Sequence, residues 1–154
     1  MNEEEIRKFS LNLTETAWPA YLTSVDKAGF PQTRAMFNLR NRDRFPRLID
    51  VFESHKEDFM ILFTTNTSSK KVSDIHENRA VSVYYCDPIT WQGAMFGGLI
   101  EIVEDSNVKE SIWHPEWLKY YLTGHDDPDH TVLRLFPDRV KGWSGSQTFT
   151  LELR

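Results

Sequence analysis

In FTTNTSSKKVSDIHEN, residues 63–78, a buried strand hands over to a helix through a polar turn. The strand reads back to Phe59, since FMILFTT over residues 59–65 is a continuous apolar and β-branched run of strand length. Past the turn the period changes, and Val72, Ile75 and Asn78 recur as on a helix that starts near Ser68 or Ser69. The turn gathers hydroxyls, backbone amides and two lysines where a first helical turn leaves its N–H groups free. Such a place favours an anion, and Ser69, Lys70 and Lys71 add donors and charge suited to a phosphate. For S-S-K-K taken alone, the alternative is a Ser N-cap followed by two solvated lysines.

On the N-terminal side, Asn2 with Glu5 forms a capping-box pattern, and Ile6, Phe9 and Leu13 share one face of an amphipathic helix over residues 3 to 13. AYLTSV (20–25), the turn DKAG and FPQTRAMFNL (30–39) read as a hairpin. RNRDRFPR (40–47) reads as a loop and LIDVFESH (48–55) as a short helix. On the C-terminal side, AVSVYYC (80–86) alternates as a strand, and residues 91–103 read as one long strand whose glycines predict a bend or a close backbone approach. VKESIWHPEWLKYYL (108–122) predicts two short helices meeting at Pro115. Residues 131–136, 140–143 and 148–153 supply the last strands. The reading gives six or seven strands with three to five helices, and strands in neighbouring pairs favour an antiparallel barrel over a doubly wound sheet.

The chain has 154 residues, 40% hydrophobic and 27% charged, with neither an internal repeat nor a linker, so one domain over 1–154 is expected. That length buries roughly 68–70% of the unfolded surface, enough for a real core. Cys86 is the one cysteine, which excludes an intramolecular disulfide and a multi-cysteine metal site. No apolar run reaches membrane-span length, and MNEEEIRKF lacks the order of a signal peptide, so no membrane partner and a cytoplasmic location are expected. The net charge of -5 argues against nucleic acid as a partner.

Taken in order, TSVDKAGFPQTRAM (23–36), FTTNTSSKKVSDIHEN, VSVYYCDP (81–88), GGLIEIVED (97–105) and GHDDPDHTVLRLFPDRVKGW (124–143) resemble the FMN-binding split barrels related to pyridoxamine 5'-phosphate oxidase, and among them the general stress protein 26 branch. The resemblance spans most of the chain. It implies a mainly β (α+β) fold, a six-stranded antiparallel split β-barrel with flanking helices, and a homodimer with FMN at the interface. The isoalloxazine ring would lie along the strand with the R-x-M element, here Arg34, Ala35 and Met36. The S-[RK]-K element, here Ser69, Lys70 and Lys71, would hold the phosphate, with Thr64 and Thr65 beside the ribityl chain. Trp143 resembles a tryptophan near the partner subunit's flavin, and packing at the dimer seam explains it equally well. The implied activity is that of a flavin-dependent oxidoreductase or flavin reductase acting on a small-molecule substrate, with an electron donor such as NAD(P)H. The alternative is a non-catalytic flavin-binding or storage protein of the stress response.

Physical chemistry agrees with that assignment. A phosphate monoester carries about -1.5 to -2 charges, which two lysines and a helix N-terminus balance locally in an acidic chain. The planar fork of Arg34 suits a phosphate or the flavin pyrimidine edge. The chain ends GSQTFTLELR, without the Arg- and His-rich segment that grips substrate phosphate in the vitamin-making oxidases, so pyridoxamine phosphate oxidation is not expected.

Other clusters have plainer readings. HDDPDH (125–130) matches no metal-ligand spacing and reads as turn and caps. His76 and His114 read as helix-surface or helix-end residues, Cys86 as a small buried hydrophobe, and RNRDRFPR as a solvated loop. Trp113, Trp117, Tyr120 and Tyr121 form a helical stripe, expected in the core or at a subunit interface.

Overall fold

The computed structural model describes residues 1–154 and contains nine strands, all paired antiparallel, with four α-helices and two short 3-10 turns. Helix α1 (Glu3–Thr16) begins at the expected capping box, in which Asn2 Oδ1 accepts from the Glu5 N–H at 2.9 Å and the Glu5 carboxylate accepts from the Asn2 N–H at 2.8 Å. Its apolar face is laid on the sheet, where Phe9 meets Phe149 edge to face at 5.6 Å.

Strands β1 (Ala20–Val25), β2 (Pro31–Met36), β4 (Ala80–Asp87), β5 (Gln92–Leu99), β8 (Arg139–Ser144) and β9 (Gln147–Glu152) make a six-stranded sheet in the order β2-β1-β4-β5-β8-β9. Strands β3 (Ile61–Asn66), β7 (His130–Leu135) and β6 (Glu101–Val103) make a three-stranded sheet in the order β3-β7-β6. The β1–β2 hairpin closes on Asp26, whose carboxylate accepts from the N–H groups of Ala28 and Phe30, and on Gly29 at φ +84.

Period-two alternation sorts the side chains into two cores. Leu22, Val83, Tyr85, Ala94 and Phe96 turn inward from the large sheet and meet Ile61, Phe63, Leu133 and Leu135 from one face of the small one. Leu62 and Val132 turn the other way and pack with Leu48, Phe52, Ile112, Trp117 and Tyr121. The small sheet is therefore covered on both faces, which explains why FMILF is apolar at every position instead of alternating. The flanking helices α2 (Ile49–Glu53) and α4 (Ser106–Ser111), and the 3-10 turns Pro46–Leu48 and Pro115–Lys119, surround this second core.

Several expectations change. Nine strands replace six or seven: every segment that reads as a strand forms one, and residues 91–103 form two. The chain breaks at Ile100, fully buried with its N–H donated to the Arg79 carbonyl, so that β5 stays in the large sheet while β6 joins the small one. The glycine reading holds there, since a Cβ on Gly98 would lie 3.1 Å from Leu135 and 3.3 Å from the Asp138 backbone. RNRDRFPR is not simply solvated. Arg40 is buried, donates to the Met60 and His55 carbonyls, and stacks over Phe52 with its guanidinium carbon 4.7 Å from the ring centroid. Cys86 is half-buried on the outer face of the large sheet and not in the core.

Candidate functional site

A cleft of about 220 Å³ opens where the ends of β2 and β3 face the 3-10 turn at Pro115–Lys119. One wall is Ala35, Met36 and Phe37, the second is Thr64, Thr65 and Asn66, and the third is Trp117, Tyr120 and Tyr121. Four residues expected at a cofactor site from the sequence, Ala35, Met36, Thr64 and Thr65, thus line one cavity.

Beyond Asn66 the chain turns into helix α3 (Lys70–Glu77), with Ser69 as its N-cap. The turn is fastened from the loop that leads into β7. Asp129 accepts from Asn66 Nδ2 at 2.7 Å and from the Ser68 N–H at 2.8 Å. These bonds, that from Asn66 foremost, hold its carboxyl below the ordinary carboxylate range. The acidic loop HDDPDH therefore acts through turns and caps, Asp127 accepting likewise from Thr123.

Around the N-terminus of α3 the expected residues divide. Lys71 is half-buried, and its Nζ donates to Thr65 Oγ1 at 2.9 Å on the cleft wall. Arg34 donates through Nη1 to Ser24 Oγ at 2.8 Å and to the Leu22 carbonyl at 3.3 Å. Burial lowers the pKa of both side chains, and the Arg34 charge lowers that of Lys71 further. Neither cation is in a salt bridge. Lys70 turns away to a buried carboxylate, Asp74 Oδ1 at 3.3 Å, and its side chain is 75% exposed. Ser69 makes no side-chain cap bond, and its Oγ is buried without a partner. Lys71 and the orphaned Ser69 hydroxyl thus stand at a helix end whose N–H groups are free, a donor set that fits a phosphate, with Arg34 close enough to act on the Lys71 charge and itself held by the Asp74 carboxylate's field.

Thr64 carries a second polar contact. Its Oγ1 lies 2.7 Å from His130 Nε2 and 3.5 Å from the Tyr121 hydroxyl. Burial pushes the His130 pKa down and that of Tyr121 up. A neighbouring cleft of about 260 Å³ shares Phe37, Trp117 and Tyr120 with the first, and in it the Arg44 guanidinium lies 3.9 Å above the Trp18 ring centroid.

Trp143 is not brought to this cleft. It lies on β8, four strands along the large sheet from β2, packed at a tilt against Tyr84 with ring centroids 5.6 Å apart. Gly93 between them permits the contact, since a Cβ there would lie 2.5 Å from the Tyr84 hydroxyl and 2.9 Å from Trp143. Sequence reasoning missed Phe37, Asn66 and His130. It found the stripe of Trp117, Tyr120 and Tyr121 and expected it in a core or an interface. Trp117 and Tyr121 are indeed buried, but their exposed edges and Tyr120 also form the cleft wall. His114 is a helix-end residue as expected, accepting from the Glu116 N–H, and His76 is exposed.

No protein of curated function matches the chain. Among solved structures, a protein related to general stress protein 26 of B. subtilis (pyridoxinephosphate oxidase family) from Clostridium acetobutylicum is 24% identical, with TM-score 0.78 over 98% of this chain and 96% of that one. The general stress protein 26 of Bacillus anthracis is 22% identical, with TM-score 0.69 over 96% of this chain and 99% of that one. A heme binding protein from Mycobacterium smegmatis is 12% identical, with TM-score 0.66 over 99% of this chain and 59% of that one. These likenesses show the fold. No helix is long and apolar enough to cross a membrane. The family model described as pyridoxamine 5'-phosphate oxidase like matches residues 50–153, through the turn of Ser69 to Lys71 and on to Trp143, and the chain belongs to that family.

Proposed function

We propose that the chain is a cytoplasmic, single-domain FMN-binding split barrel that works as a homodimer. The proposed activity is that of a flavin-dependent oxidoreductase or flavin reductase on a small substrate, with NAD(P)H or a similar donor. The observation that carries this reading is Lys71, with Arg34 close enough to act on its charge and neither of them in a salt bridge, together with the orphaned Ser69 hydroxyl at the α3 N-terminus. In this reading Ser69, Lys71 and the first N–H groups of α3 hold the phosphate, with Lys70 adding charge from the rim. Thr64 and Thr65 face the ribityl chain, while Arg34, Ala35 and Met36 border the ring. Bound flavin supplies hydride chemistry, and the chain supplies position and electrostatics. The aromatic cleft beside it, with Arg44 over Trp18, gives a planar substrate a surface to lie on.

The shared core between the six-stranded sheet and β3 and β7 supports the split-barrel reading. A dimer is supported by the outer face of the large sheet, where half-buried Tyr21, Tyr84, Met95 and Trp143 lie among small residues such as Gly93 and Ser82. There Trp143 would border the partner's site. A non-catalytic flavin-binding protein is the alternative, since no side chain of the cleft has to act as acid or base in hydride transfer.

Turnover separates the two readings. Flavin-loaded protein mixed with NADH or NADPH is expected to bleach and then to regain its oxidised spectrum when a quinone or dioxygen is admitted, over repeated cycles. Flavin that binds but is not reduced by either nucleotide would favour the non-catalytic reading.

A further inference from the structure

The His130 ring is 1% exposed and enclosed by aromatic rings, with Tyr121 at 4.5 Å and Trp113 at 5.5 Å between centroids. Its two nitrogens have different partners. Nδ1 lies 2.7 Å from the backbone carbonyl of His125, which only accepts, so Nδ1 must carry a proton. In the neutral ring Nε2 is then unprotonated and accepts, and its partner at 2.7 Å is Thr64 Oγ1. The single hydroxyl proton of Thr64 therefore goes to His130, the shorter contact, and not to the Tyr121 hydroxyl at 3.5 Å. What Thr64 has left is lone pairs.

We propose that His130 is a positioning residue that fixes Thr64 as a hydrogen-bond acceptor on the cleft wall, so that the cleft selects ligands presenting an N–H or O–H group there. The inference rests on the cofactor reading above for the identity of that ligand: a ribityl hydroxyl or the imide N–H of a flavin meets the requirement, and a bare carbonyl edge does not. Protonating His130 reverses the arrangement. With a proton on each nitrogen the ring donates to Thr64 and occupies one of its two lone pairs, the hydroxyl proton turns elsewhere, and the wall becomes a poorer acceptor that also presents a donor to the same ligand group. The titratable and charged groups around His130 are His125, Tyr121, Lys109, Asp127 and Asp129. Asp127 and Asp129 are held below the ordinary carboxylate range by hydrogen bonds, so both stay ionised at pH 5 and above.

Two measurements test this. Long-range proton–nitrogen spectra of the protein without added flavin are expected to show His130 as the Nδ1–H tautomer near pH 7.5, with an Nε2 signal that moves in Thr64→Val. An Nε2–H tautomer overturns the proposal. The second measurement uses riboflavin, because a phosphate group takes up its own proton near pH 6. Riboflavin affinity is expected to weaken as pH falls from 7.5 to 5 in the parent protein and to stay flat in His130→Gln, whose amide oxygen accepts from Thr64 without titrating. His130→Leu is expected to bind about tenfold more weakly at pH 7.5, and His130→Gln to restore most of that loss. His125→Gln removes the neighbouring imidazole and is expected to keep the pH dependence. Equal affinity in the Leu and Gln variants, or a flat parent profile, overturns the role of His130. A parent protein that binds neither riboflavin nor FMN contradicts the cofactor reading instead, while the spectra still report on the His130–Thr64 pair.

Discussion

Lys70 and Lys71 are neighbours in sequence with different surroundings. Lys71 lies against Thr65 at the cleft, whereas Lys70 is drawn to Asp74 one helical turn on and is largely solvated. Replacing Lys71 with Ala is expected to weaken FMN binding by about 1.5–3 kcal/mol, as for a lost charge-assisted bond, and replacing Lys70 by less than about 1 kcal/mol. Flavin fluorescence titration of the two variants measures both, and equal losses would contradict the division of roles. The S-S-K-K element was legible in the sequence, but which lysine faces the cleft depends on Thr65 and Asp74, partners that only the folded turn brings close. His130 was illegible for a similar reason: its partner Thr64 lies on another strand, paired across the small sheet. Burial lowers the pKa of His130 from its ordinary value of 6.5, so the folded chain takes up that proton less readily than the unfolded chain. The contribution is fully present above pH 6.5 and is lost as pH falls through the lower folded value. Urea unfolding is expected to show stability declining in that window, with a smaller decline in His130→Gln.

Elements were read well where the local sequence marks them, by a cap, a turn or a continuous apolar run, and poorly where nothing local does. Helix α1, the β1–β2 hairpin and the break at Pro115 each carry local chemistry, a capping box, an Asp-Gly turn and a ring without an N–H, that acts wherever the segment lies. The division of residues 91–103 between β5 and β6 carries no such mark. It is imposed by two sheets competing for one segment, with Ile100 buried at the crossing. Gly142 on β8 tests how closely β8 approaches β5. A Cβ there would collide with the carbonyl of Gly93 on the neighbouring strand, and a backbone cannot move aside as a side chain does. Gly142→Ala is expected to destabilise the fold by about 3 kcal/mol, read from chemical denaturation. Gly145→Ala has open space at the Cβ but a φ of +59, and is expected to cost about 1 kcal/mol through backbone strain alone. A milder effect at 142 than at 145 would contradict the described approach of β5 and β8.

At the scale of the molecule, the family and the sheet-rich architecture followed from motif order, while the cleft emerged only once β2, β3 and the 3-10 turn at Pro115–Lys119 were placed together. The proposed dimer links its two halves. Trp143 stands far along the sheet from the cleft of its own chain, so a role beside flavin requires a second copy, and Trp143→Ala is expected to weaken association and FMN binding together. Dilution followed by sedimentation should then release flavin at the protein concentration where the dimer dissociates. A tight monomeric complex would confine the site to one chain. The claim beneath these is that the α3 N-terminus, with Lys71 and Ser69, holds a flavin phosphate. Its most direct measurement is the dissociation constant of the apoprotein for FMN compared with riboflavin at pH 7.5, where the phosphate is mostly a dianion. FMN is expected to bind at least about tenfold tighter, with the difference largely abolished in Lys71→Ala; equal affinity for the two flavins would put the phosphate in solvent and contradict the site.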